Sequence, residues 1–229
     1  MGNFFQAFAA ADFFGKLIFF ALFVLSCGSW VFILQKFWML KNLRLSARRF
    51  KKMAEMHKDR ILNLNSHSKN PFSILYNTLK DHALMVLDKN HFHYQGEETY
   101  LSGLDIKFLE SHLHTLITKQ RGRIEKNLFI LSTTKTLAPF LGLLGTVWGI
   151  LVSFGELQAG HSVTSNTVIL GGLSTALTTT VLGLLIAIPA LIAHSYLKNL
   201  CKNFTLEMVE FSHFLLSTVE LQYRKVDVS

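Results

Sequence analysis

Charge is absent from three long stretches of this sequence, and cysteine and proline are scarce throughout. Of 229 residues only two are cysteine and three proline. Cys27 and Cys201 lie far apart, so they offer neither a disulfide framework nor a metal-ligand spacing. No nucleophile stands beside a candidate base, no glycine-rich phosphate loop occurs and no carboxylates are paired, so nothing points to an enzyme, a cofactor or a metal centre. Internal repeats, β-rich stretches and low-complexity tracts are missing as well.

What is present is apolar length. Residues 17–35, 136–155 and 167–193 carry no charge. A bilayer core of ~30 Å needs about 20 apolar residues at ~1.5 Å each, so each run is long enough to span. The fold class read from this pattern is an all-α integral membrane protein with three transmembrane helices and long cytoplasmic helical extensions. The first run exceeds a usual signal-peptide core, is preceded by Asp12 and Lys16, and has no A-x-A site after it, so it is expected to be retained.

Basic residues set the expected orientation. The segment 36–135 holds 18 of the 23 Lys and Arg against 9 acidic residues, while the loop 156–166 holds no Lys or Arg. The positive-inside rule then makes 1–16 a periplasmic arm, 36–135 a cytoplasmic helical domain, 156–166 a periplasmic loop and 194–229 a cytoplasmic C-terminal helix. The net charge of +8 follows from the same rule. Membrane lipid is the nearer partner for "RLSARRFKK", and no nucleic-acid partner is expected.

Helical signals continue outside the spans. Phe4, Phe5, Phe8 and Ala11 fall on one side, as in an interfacial helix on the outer leaflet. Leu43, Ala47, Phe50 and Ala54 extend the first span at helical spacing. Asn70 and Pro71 read as N-cap and first position of a helix running to about Asp88, and "YQGEE" breaks the pattern. From Thr99, the residues Leu104, Phe108, Leu113, Leu116, Gln120, Ile124 and Leu128 form a stripe that can run on directly into the second span. Among ten histidines, "HFH" at 91–93 and "HLH" at 112–114 are i, i+2 pairs. On a helix these point about 200° apart and cannot share a metal.

The second and third spans are unusual in how little side chain they carry. Gly142, Gly145, Thr146, Gly149 and Ser153 share one helical face. Gly172, Ala176, Thr179, Thr180, Gly183, Ala187, Ala190 and His194 do so in the third span, with Pro139 and Pro189 in the same two runs. Small faces let helices approach closely in lipid, so Gly142, Gly145, Gly149, Gly172, Gly183, Pro139 and Pro189 form the helix-packing set. Two such faces are expected to need more than one chain to satisfy them. Thr146 lies ten residues, or ~15 Å, from the cytoplasmic entry, and Thr180 is the midpoint of its run. Matched depth suits a polar lane through the membrane, with Thr146, Thr180, Thr175 and Thr179 as its lining. The competing reading is a static, non-conducting scaffold whose cytoplasmic helices recruit partners.

"APFLGLLGTVWGIL" at 138–151 and "GGLSTALTTTVLGLLIAIPAL" at 171–191 resemble the paired helices of the TolQ/ExbB/MotA family of proton-channel stators. Ser29, Trp30, Gln35 and Lys36 resemble the end of that family's first helix. Three spans match its TolQ and ExbB branch rather than the four-span MotA type. The resemblance implies a bacterial inner-membrane homopentamer enclosing a TolR- or ExbD-like single-span dimer, whose aspartate carries protons and whose movement transmits the proton-motive force to the envelope. It also implies that Thr146 and Thr180 line the channel. Thr175 stands where that branch usually has glutamate. Between residues 136 and 193 the only acid is Glu156, so a proton-driven cycle is expected to borrow its titratable group from the partner.

Overall fold

The computed structural model describes residues 7–9, 11–63, 70–94, 100–158 and 165–223. Phe4 and Phe5, residues 95–98 of the "YQGEE" tract, Thr99, the connection at 159–164, and the side chains of His93 and Glu156 lie outside the described residues. Among the described residues, beyond a helical stretch at 7–9, the α-helices are α1 (Phe13–Met56), α2 (Pro71–Tyr94), α3 (Gly103–Glu125), α4 (Leu128–Gln158) and α5 (Ser165–Tyr223). A 3-10 turn, Lys58–Asn63, follows α1. Among the described residues no β-strand element forms. Three helices, α1, α4 and α5, are long and apolar enough to cross a membrane, which makes this an all-α membrane protein.

Two of these helices run far past the expected spans. α1 continues for 44 residues and α5 for 59 without a break, because no glycine or proline interrupts the polar continuation of either. α3 and α4, by contrast, are separate. The chain turns at Asn127, the one described non-glycine residue with positive φ, at 68°. Asparagine tolerates this left-handed conformation because its short polar side chain bonds locally, so a single residue ends the helix that the stripe seemed to carry onward.

The chain divides into two compact units, Met1–Lys36 with Asn127–Lys198, and Phe37–Lys126 with Asn199–Ser229. In the second unit Asn70 caps α2: its Oδ1 accepts the Ser73 N–H at 2.8 Å, and Pro71 takes the first helical position. The helix runs to Tyr94 rather than Asp88. α3 opens on a capping box, in which the Ser102 hydroxyl accepts the Asp105 N–H and the Asp105 carboxylate accepts the Ser102 N–H. Burial would raise the Asp105 pKa, but hydrogen bonds from Ser102 and Asn90 and the nearby Lys89 charge outweigh it and hold the carboxyl below its ordinary range.

The core of this unit gathers Ala47, Phe50 and Ala54 of α1, Phe72, Leu75 and Tyr76 of α2, and Phe204, Met208 and Phe211 of α5. Phe72 and Phe211 stand 4.9 Å apart between ring centres, and Tyr76 Oη donates to the Ile61 carbonyl at 2.6 Å. The buried stripe of α3 is Leu109, Leu113, Ile117, Gln120 and Ile124. Leu104 and Phe108, read from the sequence as its start, are exposed, and the buried side chain at this end of the stripe is Leu109, one residue later than Phe108.

In the first unit Ile18, Leu22, Ala138 and Ala187 form the centre, packed by Phe14, Leu141, Leu182 and Ile186. The large apolar side chains of the spans, among them Phe20, Phe23, Leu143, Val147, Leu177 and Leu185, point outward. In water that would be unfavourable; in hydrocarbon it is the ordinary arrangement.

Candidate functional site

α4 and α5 run antiparallel with their small faces against each other. A Cβ placed on Gly142 would stand 2.9 Å from the Thr179 carbonyl oxygen and 3.0 Å from the Thr180 Cα. One on Gly149 would meet the Ala176 Cβ at 2.8 Å and the Gly172 carbonyl oxygen at 3.0 Å, and one on Gly183 the Ala138 carbonyl oxygen at 2.5 Å. Gly145 abuts the Thr179 side chain, and Gly172 abuts the Ser153 hydroxyl. The absence of side chains thus lets the two backbones touch. The expectation that two small faces need more than one chain does not hold, since within one chain they cover each other.

The register also adjusts the depth argument. Gly142 faces Thr180 and Gly149 faces Ala176, so Thr146 stands roughly opposite residues 177–178. It is offset from Thr180 by two or three residues, or ~4 Å along the helix.

The four threonines differ in their surroundings. Thr179 is 1% exposed and donates to the carbonyls of Ala176 at 2.7 Å and Gly142 at 3.3 Å. Thr175, 8% exposed, donates to Gly171 at 2.8 Å and to Ala7 at 3.2 Å. Thr146 and Thr180 are only half-buried. Thr146 donates to the Leu143 carbonyl at 2.7 Å, and Thr180 crosses to the Gly142 carbonyl at 2.9 Å. Pro139 and Pro189 lie inside α4 and α5 without ending them.

Two polar contacts escape a reading by spacing. Asp12 precedes α1 and caps it: Oδ1 accepts the Gly15 N–H at 2.9 Å, while Oδ2 accepts the Trp148 Nε1–H at 2.8 Å. Trp148 also packs on Phe14, with ring centres 4.4 Å apart. A carboxylate of this chain therefore stands against the "GTVWG" segment, ten residues before the end of α4. Ala7, which receives Thr175, and Asp12, which receives Trp148, are thus held against α5 and α4. At the other end of the hairpin Lys135 Nζ stands 3.3 Å from His194 Nδ1 and donates to it. Both pairings join residues more than 50 positions apart, and only the aspartate before an apolar run hinted at a cap.

The model of the MotA/TolQ/ExbB proton channel family matches residues 73–210, which include α4 and most of α5. The chain is 30% identical over 190 residues to the biopolymer transport protein ExbB of Pseudomonas putida, covering 81% of this chain and 54% of that protein. Its similarity to the Tol-Pal system protein TolQ of Pseudomonas aeruginosa is 39% over 83 residues, 36% of each. To the ExbB of Helicobacter pylori it is 46% over 74 residues, 32% of this chain and 50% of that one. The chain spans about half or less of the length of these curated relatives. With a family model covering more than half its residues, and with the small-faced α4–α5 hairpin lying inside that match, the chain belongs to the MotA/TolQ/ExbB proton channel family.

Proposed function

We propose that this chain is a proton-channel subunit of an inner-membrane motor that couples the proton-motive force to work at the cell envelope. The observation that carries this reading is the pair of half-buried threonines, Thr146 and Thr180, on glycine-thinned faces of the family-matched hairpin. In this reading Thr146 and Thr180 face the lane, while Thr175 and Thr179 support it from within the bundle, where their burial leaves them little access. The spans keep the positions read from charge: 17–35, 136–155 and 167–193, with the N-terminus periplasmic and the segment 36–135 cytoplasmic.

Threonine hydroxyls orient a proton or a water but do not alternately hold and release charge near neutral pH. A titratable group must therefore stand beside them. An aspartate on the single span of a TolR- or ExbD-like dimer, inserted among a homopentamer of these chains, supplies it. The outward-facing apolar side chains of the spans are compatible with subunit contacts as well as with lipid.

Substituting both Thr146 and Thr180 by valine keeps their shape and removes the hydroxyls. The complex is expected to assemble and to lose proton-driven activity, measured as partner-dependent proton flux in liposomes. Full flux in the double variant would remove the lane. A second reading, a non-conducting scaffold, is favoured by one observation: every one of the four threonines already donates to a backbone carbonyl. It predicts that assembly and activity change together.

A further inference from the structure

The packing of α2 on α3 brings together two histidines that the sequence keeps thirty positions apart. The rings of His82 and His112 lie 4.8 Å apart between centres at 43°, and Phe108 lies 4.2 Å from His112, tilted at 49°. His82 is half-buried and His112 exposed, so the pair is open to solvent on one side. Their neighbours Leu79 and Ala83 on α2, and Leu109 and Leu113 on α3, are buried and hold both backbones.

The tautomer of each ring follows from its hydrogen bond. His82 Nδ1 is 2.8 Å from the Thr78 carbonyl, and His112 Nδ1 is 3.0 Å from the Phe108 carbonyl. A carbonyl only accepts, so each Nδ1 carries the hydrogen and in each neutral ring Nε2 is the nitrogen with the lone pair. An imidazole whose other nitrogen donates to a backbone carbonyl is the form that binds metal, with ring orientation already fixed. Two such rings in contact, on two separate helices, point to a shared ligand rather than to two independent surface residues.

We propose that His82 and His112 form a two-imidazole site for a first-row divalent cation of the zinc, nickel or copper type. Imidazole nitrogen suits these ions, whereas magnesium and calcium prefer oxygen. No cluster of three or more His, Cys, Asp or Glu surrounds the pair among the described residues, so water completes the coordination. The ion would clip α2 to α3. The i, i+2 pairs "HFH" and "HLH" play no part, since the partner of His112 comes from the neighbouring helix.

The test uses the full chain in mild detergent, titrated calorimetrically with Ni2+ and with Zn2+. One ion per chain is expected to bind. H82Q or H112Q alone is expected to weaken binding by at least the 10–100-fold that loss of even an outer-shell partner costs, while H114Q changes nothing. Equal affinity in H82Q, H112Q and the unaltered chain overturns the proposal, and so does a loss with only one of the two. Since a glutamine at 82 could disturb the helix pair by itself, X-ray absorption of the nickel-loaded, unaltered chain gives a variant-free check. Two imidazole nitrogens with oxygen in the remaining positions are expected. A spectrum showing none, one, or three or more imidazoles overturns the assignment.

Discussion

Gly183 offers the sharpest test of the hairpin. An alanine there would place its methyl carbon 2.5 Å from the Ala138 carbonyl oxygen and 3.2 Å from the Gly142 Cα, both backbone atoms that no rotamer change can move. Ordinary contact begins at 3.4 Å, so α4 and α5 must part locally by close to an ångström. A radial gap of ~0.5–1 Å forfeits a quarter to a half of each affected dispersion contact, and overpacking of a tight interior costs roughly 1–3 kcal/mol. Gly28, on α1, has nothing within 4 Å of its added carbon. Alanine there escapes any clash and gains the helix propensity of about 0.8–1 kcal/mol that glycine lacks. The same propensity gain applies at Gly183 and cancels, so the expected result is a stability difference of about 1–3 kcal/mol between Gly183→Ala and Gly28→Ala, read by reversible denaturant titration in detergent with helix content as the signal. Equal stabilities, or a more stable Gly183→Ala, would refute the close backbone approach and the face assignment with it.

Asp12 and Trp148 should behave as a coupled pair. Asp12→Ala removes a cap worth about 0.5–2 kcal/mol and strands the indole N–H, whereas Asp12→Asn keeps one acceptor oxygen, enough for the Gly15 N–H, and turns an amide N–H toward the indole. A double-mutant cycle with Trp148→Phe is expected to give a coupling of roughly 0.5–3 kcal/mol in detergent; no coupling would break the contact. Asp105, held below its ordinary pKa chiefly by Ser102 against the opposing effect of burial, contributes stability that is complete above the ordinary carboxylate range near pH 4. That contribution disappears as pH falls through the lower folded value, so hydrogen-exchange protection in the first turn of α3, taken relative to the unfolded-chain rate at each pH, should fall below about pH 4, and Ser102→Ala should flatten this dependence. An unchanged acid profile in Ser102→Ala would contradict the capping box as its source.

Much of the architecture was legible because its signals are local. A charge-free run of 20 residues has few fates other than lipid, and Asn70 before Pro71 marks a helix start wherever it occurs. The glycine faces were legible too, as a period of three and four. Their partner was not: that they cover each other inside one chain is a property of the antiparallel register, which no single helix encodes. The division between α3 and α4 rests on one asparagine in the left-handed region, in a stretch whose apolar spacing favours continuity. The face of α3 was misjudged at its start because Leu104 and Phe108 are as apolar as the Leu109 and Leu113 that are buried instead. Asp12 against Trp148 and His82 against His112 are pairings across 136 and 30 positions, invisible to any window. The first of these brings a carboxylate from outside the hairpin against it, in addition to Glu156, the only acid between residues 136 and 193.

Thr146, Thr175, Thr179 and Thr180 each spend their one O–H hydrogen on a backbone carbonyl. A hydroxyl has a single hydrogen and two lone pairs, so what remains for any visitor is electron density alone. As bonded, these four hydroxyls can receive hydrogens and give none. If Thr146 and Thr180 line a lane, water beside them turns its hydrogens toward the wall and an anion finds no hydroxyl hydrogen to hold. Whatever meets these oxygens must bring its own proton.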